Sequence, residues 1–241
     1  MAVSIKSARE IELMREAGKR LAHVHQELEA MIAPGISTWE IDAKGEKLIR
    51  DCGCIPNFLH YNGYPASICV SVNDEVVHGI PRKDRYLKEG DIVSLDAGLI
   101  YKGYHSDAAR THAVGKVSTE AQKLMDVTKQ SFFEGIKMAK EGQHLHDISR
   151  AIEEYVTPYG YGIVRDLVGH GIGTALHEDP QIPNYAQKRR GVRLQAGMTL
   201  AIEPMINAGT WQVRFLRDGW TVVTKDGSLS AHYENTVLVT D

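Results

Sequence analysis

The decapeptide LKEGDIVSLD at residues 87–96 returns as LQAGMTLAIE at residues 194–203. Each copy begins on Leu, reaches a Gly three residues later, and runs through a β-type stretch that closes on an aliphatic residue and a carboxylate. All ten aligned positions lie 107 residues apart, and at the same offset Gly35 faces Gly142, Glu40 faces Asp147, Ile41 faces Ile148 and Gly53 faces Gly160. Loops then change the offset but not the order. His78-Gly79-Ile80 returns as His170-Gly171-Ile172, and His105-Ser106-Asp107 as His232-Tyr233-Glu234. Generic patterning of two βα units can match single residues, but it does not reproduce this order. The repeat predicts two halves, about 1–116 and 117–241, related by a pseudo-twofold axis within a single domain spanning 1–241. Duplicated halves bring duplicated acids to one shared interface.

Local signals fill in the same plan. Ile11, Met14, Ala17, Leu21, Val24, Leu28 and Met31 recur at helical spacing, and Pro34-Gly35 ends that helix. Ser37 with Glu40 has the spacing of a capping box for a second helix. A strand-rich segment follows, in which Asn62-Gly63 predicts a tight hairpin turn, and DIVSLDAGLIYKGYHSDAARTHAV predicts a second hairpin turning near Lys102-Gly103. Two further helices come next, TEAQKLMDVTKQSFFEGIKMA and HLHDISRAIEEYVTPYG. Strands return at GIVRDLVGHG, MTLAIEPMINAG, GWTVVTKDGSLSA and YENTVLVT. Helix pair then strands, written twice, is an α/β (α+β) pattern.

Composition narrows the function classes. A formal net charge of −3 lacks the basic bias of a nucleic-acid binder. No apolar run approaches the ~18 residues of a membrane span. The N-terminal stretch carries no apolar core of the secretory type. Three cysteines, Cys52, Cys54 and Cys69, are too few and too irregular for a disulfide framework or a Cys₄ zinc site. They read as reduced thiols of a cytoplasmic protein.

The acids carry the chemistry. Asp96 ends an apolar strand, and Asp107 lies on the returning strand of the same hairpin, within a residue or two of facing it. Glu203 and Glu234 hold the matching places in the second half. Four carboxylates converging between aliphatic strands cost several kcal/mol each unless compensated. Ion pairing, with Arg110 and Arg214 as candidates, is one solution; divalent cations are the other. His170, set among small residues in VGHGIG, adds an imidazole. Four carboxylates, one imidazole and no thiolate suit Mn²⁺, Fe²⁺, Co²⁺ or Zn²⁺, and a pair of such ions supports hydrolysis. His78 and His177 are free to donate protons or hold a developing oxyanion. His177-Glu178 is followed by Asp179-Pro180, so no H-E-x-x-H motif exists, and neither G-x-S-x-G nor a Walker loop is present.

Taken together, NGYPASICVSVNDEVVHGIP, DIVSLDAG, YHSDAART, GHGIGTALHEDP, TLAIEPM and AHYENT resemble the methionine aminopeptidases, specifically their bacterial type I form, over nearly the whole chain. The resemblance implies a pita-bread fold, with an antiparallel sheet flanked by two helix pairs. It implies a two-ion site (Co, Mn, Fe or Zn) ligated by Asp96, Asp107, His170, Glu203 and Glu234, with Asp107 and Glu234 bridging and Glu203 as general base. His78 and His177 would stabilise the tetrahedral intermediate and assist the leaving amine. Phe58, Tyr61, Tyr64, Cys69, Leu176 and Trp220 would enclose the methionine side chain, the Asn62-Gly63 turn holding the two tyrosine rings as a pair. The implied substrate is the N-terminus of a nascent polypeptide with a small second residue, met near the ribosomal exit tunnel by a monomeric enzyme. Two positions depart from the pattern: Leu176, where several relatives carry a larger ring or Met, and Asn235, where His is frequent. An X-Pro peptidase of the same superfamily and a metal-free binding protein are the competing readings. The first would need an extra N-terminal domain, and the second would have lost ligands.

Overall fold

The computed structural model describes residues 3–241. Helices α1 (Ala8–Glu29) and α2 (Thr38–Asp51) precede strands β1 (Ile55–Pro56), β2 (Ile68–Val72) and β3 (Glu75–Val77) and the hairpin β4 (Ile92–Tyr101) and β5 (Tyr104–Ala113). Helices α3 (Thr119–Ile136) and α4 (Leu145–Val156) open the second half. They are followed by β6 (Gly162–Ile163), β7 (Gly169–Gly171), β8 (Glu178–Ile182), β9 (Thr199–Ile202), β10 (Met205–Asn207), β11 (Val213–Phe215), β12 (Val222–Thr224), β13 (Ser230–His232) and β14 (Glu234–Leu238).

The helices start where the sequence places their caps. Ser7 with Glu10 and Ser37 with Glu40 each close a reciprocal capping box at the head of α1 and α2. A cap contributes about 1 kcal/mol. Each of the fully buried Leu21, Leu28, Ile41 and Ile49 contributes roughly 1.5–3 kcal/mol. Docking on the sheet therefore outweighs capping in holding this pair. In α4 the stripe Leu145, Ile148, Ile152 and Val156 does the same for the second half.

The main sheet runs β1–β4–β5–β14–β9–β7–β8, with β2 also on β4, and its pairings are antiparallel. Reading outward from the β5/β14 seam, β5–β4–β2 is mirrored by β14–β9–β7. The repeat therefore lies across this seam. Gly90 and Gly197, the shared Gly of the opening decapeptides, hold φ of +91° and +93°. A side chain at that angle is strained, so each copy needs Gly to turn into its strand. The link from the first helix pair matches too. Gly35 N–H donates to Leu87 O at 2.8 Å and Gly142 N–H to Leu194 O at 3.0 Å.

The two largest apolar clusters divide the same way, while two smaller ones join the halves. One cluster draws on residues from Ala17 to Val114. The other draws on Ile92 and on residues from Ala121 to Val239. The β4–β5 hairpin turns at Lys102-Gly103 as expected, both residues having positive φ.

The Asn62-Gly63 segment does not form the expected hairpin. Residues Tyr61–Gly63 make one tight 3₁₀ turn, and the flanking strands β1 and β2 each pair with β4 rather than with each other. Pro65 explains the difference, because a returning strand there would lack a ladder donor. Strands β1, β3, β8 and β11 were not legible as separate elements. Among the described residues no helix is long and apolar enough to cross a membrane, and the three cysteines are free.

Candidate active site

Strand register assembles the acids. Asp96 on β4 pairs with Ala109 on β5, and Ala109 pairs with Glu234 on β14. Glu203 directly follows Ile202, whose partner on β14 is Asn235, so it stands beside Glu234. A row of residues thus crosses four strands from both halves, with the small Ala109 leaving room between its acids. Asp107 pairs with Gly98, two residues from Asp96 on the same face. A Cβ at position 98 would lie 3.0 Å from Asp107 Oδ1 and 2.5 Å from Asn57 Nδ2, so only Gly leaves the carboxylate in place. His170 joins from β7, opposite Ala201 on β9.

The ion-pair solution is not the one adopted. The Arg110 guanidinium donates to the Glu234 backbone carbonyl and to Asn235 Oδ1 and lies 4.3 Å over the Tyr233 ring. Arg214 is exposed on β11. Among the described residues no Lys or Arg forms a salt bridge with the four carboxylates, and Asp96 Oδ1 and Glu234 Oε1 are buried without a hydrogen-bond partner. Burial, reinforced by mutual repulsion, pushes Asp107, Glu203 and Glu234 well above the usual carboxylate range. Burial pushes Asp96 up to about 7. Such a cluster calls for positive charge that the side chains do not supply.

The imidazoles have the form of ligands. Burial, then the neighbouring His177, pushes His170 down to about 4, so the ring is neutral. Its Nδ1–H donates to the Gly171 carbonyl at 2.8 Å, which leaves a bare Nε2 lone pair 3.6 Å from Glu203 Oε1. Two acceptors facing each other need a proton or a cation between them. Asp107, His170 and Glu234 offer ligand atoms within 4.8 Å of one another, and so do Glu203, His232 and Glu234. Cys69 pairs with Asp96 across β2/β4, but burial keeps its thiol pKa well above 9 and therefore protonated. These donors fit a divalent cation of hard-to-borderline character.

The acids form the floor of a cavity of about 210 Å³. Its walls are Phe58, Tyr61, Asn62, Tyr64, Cys69, His78, Leu176, His177 and Trp220. All thirteen residues singled out from the sequence therefore meet in one place. The volume is below the ~300–1,000 Å³ typical of drug-sized ligands and suits one amino-acid side chain. Tyr61 and Tyr64 do not pair with each other. Tyr61 OH lies 2.7 Å from His177 Nδ1, while the Tyr64 ring meets Trp220 edge-on at 5.1 Å. His78 stands edge-on to Trp220 at 6.3 Å with a left-handed φ of +58°. Strain of that kind in a non-glycine residue concentrates at functional sites.

The profile of metallopeptidase family M24 matches residues 12–241. The chain belongs to metallopeptidase family M24. A methionine aminopeptidase of Clostridium acetobutylicum is 54% identical over 239 residues, covering 99% of this chain and 96% of that one. The crystal structure of a methionine aminopeptidase from Thermotoga maritima superimposes with a TM-score of 0.97 at 46% identity, covering 99% and 96% of the two chains. A prolidase from Pyrococcus furiosus shares the fold at a TM-score of 0.77 and 24% identity, and this chain spans 63% of it. The pseudo-symmetric sheet is thus the pita-bread fold, and this M24 peptidase is a hydrolase that depends on divalent metal.

In this M24 peptidase, sequence reasoning missed His232. The residue entered only as the partner of His105 in the repeat. The two histidines differ in the fold: His232 is 1% exposed with Nε2 3.8 Å from Glu203 and 4.0 Å from Glu234, whereas His105 sits on β5 at the far end of the hairpin. The usable signal was the i, i+2 spacing to Glu234, which places both on one strand face unless the chain bends between them.

Proposed function

We propose that this chain is a methionine aminopeptidase that removes the initiator methionine from nascent polypeptides whose second residue is small, using a dinuclear site ligated by Asp96, Asp107, His170, Glu203 and Glu234. One observation carries this reading: a cavity sized for a single apolar side chain ends on an unpaired cluster of four acids and an imidazole. The aromatic and aliphatic walls suit a flexible thioether. Two divalent ions bound there would polarise the scissile carbonyl and make water acidic enough to attack at neutral pH.

The protein groups do the rest. Glu203 takes the proton from the attacking water and delivers it to the departing amine as the C–N bond breaks. The Tyr61 hydroxyl lies 2.7 Å from His177 Nδ1; with that hydroxyl as the donor, the ring proton would sit on Nε2 and make that nitrogen a donor towards the substrate carbonyl oxygen. His78 is pushed down to about 4 by burial, so it too acts as a neutral donor. Replacing His177 by Ala is expected to lower kcat about 10²–10³-fold with a smaller change in KM, as for loss of one oxyanion donor. Steady-state kinetics on a Met-Ala peptide checks this, and a tenfold rise in KM at unchanged kcat would assign His177 to binding alone.

The decisive experiment uses chain stripped with chelator and reloaded with Mn²⁺, Co²⁺, Fe²⁺ or Zn²⁺, offered Met-Ala-Ser, Met-Lys-Ser and Ala-Pro peptides. Metal-dependent release of Met from the first alone is expected. Cleavage of Ala-Pro alone would move the assignment to the X-Pro branch. Cleavage of none, with any metal, would overturn the peptidase reading.

A further inference from the structure

We propose that His232 is a sixth protein ligand of this centre, donating Nε2 to a metal held beside Glu203 and Glu234. The inference rests on the dinuclear reading above and adds a residue that its five-ligand set omits.

Four observations support it. The ring is buried at 1% exposure, and neither of its nitrogens has a hydrogen-bond partner. An imidazole stripped of water on both nitrogens loses its solvation and gains nothing, unless one nitrogen meets a ligand. Nε2 faces the acids, 3.8 Å from Glu203 Oε2 and 4.0 Å from Glu234 Oε2. Glu203 therefore lies between two imidazoles, with His170 Nε2 3.6 Å from its other oxygen.

The backbone holds the ring there. The Thr111 hydroxyl accepts from His232 N–H at 2.8 Å and donates to the His232 carbonyl at 2.9 Å. Pairing with Met205 on β10 fixes the other edge. The nearest cation is engaged elsewhere, because Arg110 donates to Asn235 Oδ1 and the Glu234 carbonyl. Asn235 thus takes up the guanidinium that would otherwise compete with a metal for Glu234.

A second imidazole makes the donor set of the centre richer in nitrogen. Imidazole favours Zn²⁺, Fe²⁺ and Co²⁺ over Mn²⁺, which prefers carboxylate, carbonyl and water. The His232→Gln chain, offering an amide in place of the ring, is expected to shift selectivity towards Mn²⁺ in a Zn²⁺/Mn²⁺ competition.

The direct test is NMR of the full chain labelled with ¹⁵N-histidine and loaded with ¹¹³Cd²⁺. Cadmium coupling to two imidazole nitrogens is expected, one lost in His232→Gln and the other in His170→Gln. Coupling to His170 alone would overturn the inference and leave the metal centre intact, making His232 a hydrogen-bond donor to Glu203. Failure of the wild-type chain to take up cadmium, zinc or manganese would overturn the metal centre itself, and this inference with it. The wild-type spectrum carries the count of ligating imidazoles, so the test does not depend on either variant folding.

Discussion

Glu203→Gln is expected to lower kcat/KM on a Met-Ala peptide about 10²–10⁴-fold at saturating metal, the range for loss of a positioned general base. The substitution preserves shape and one ligating oxygen, but it removes the charge and the ability to carry a proton. It also relieves a local cost. Burial and the Asp96 charge push the Glu203 carboxyl well up, so an uncharged amide there is no harder to bury than the acid. The metal-free variant is therefore expected to melt no lower than the metal-free wild type. Activity together with thermal unfolding separates the two effects. Activity within tenfold of wild type would remove Glu203 from the role of base, and a lower metal-free melting temperature would mean that its charge is paired in the fold.

The second large effect is the response of stability to metal and pH. In the metal-free chain Asp96 is pushed up to about 7 by burial, and Asp107, Glu203 and Glu234 lie well above their ordinary values. A group whose folded pKa exceeds its unfolded value, about 4 for a carboxyl, stabilises the fold below that value and loses the contribution as pH rises through the folded pKa. His78 and His170, pushed down to about 4, and His232, to about 3, act in the opposite sense. Their unfavourable protonation is relieved as pH rises towards about 6.5, and above that they add no slope.

Metal-free stability should therefore fall between pH 6.5 and 8. Bound metal replaces the protons on the acids, so its stabilisation should grow over the same interval. A metal at a hundredfold excess over Kd stabilises by about 2.7 kcal/mol per site, or roughly 5–11 °C in Tm for a chain of this size. Differential scanning fluorimetry with and without Mn²⁺ at pH 6.5, 7.25 and 8 measures this. A metal-induced shift that shrinks as pH rises would contradict the proton–metal exchange.

Much of the site was legible because strand chemistry repeats. Asp96 and Glu203 end aligned copies of one strand, and a two-residue turn at Lys102-Gly103 makes the offset from Asp96 to Asp107 a matter of counting. His170 was legible from its small neighbours, which let strands approach: a Cβ at Gly171 would lie 2.2 Å from the Asp179 carbonyl oxygen. The ring pocket was located through its resemblance to a family rather than through periodicity. The one backbone inference made there, a hairpin at Asn62-Gly63, failed because Pro65 withdraws the donor that a return strand needs.

The sequence by itself determined two helix pairs, a doubled strand and the four acids that the doubling carries, because local hydrogen bonding and side-chain period act over a few residues. Only the tertiary structure decided which partners those acids meet. It turned Arg110 towards Asn235 and the Tyr233 ring instead of a carboxylate, and it separated Tyr61 from Tyr64 to serve His177 and Trp220. It also gave the sequence-equivalent His105 and His232 different environments. Those outcomes depend on the β5/β14 seam, where residues more than a hundred positions apart come into register. No local pattern encodes that proximity, since it exists only after both halves have packed.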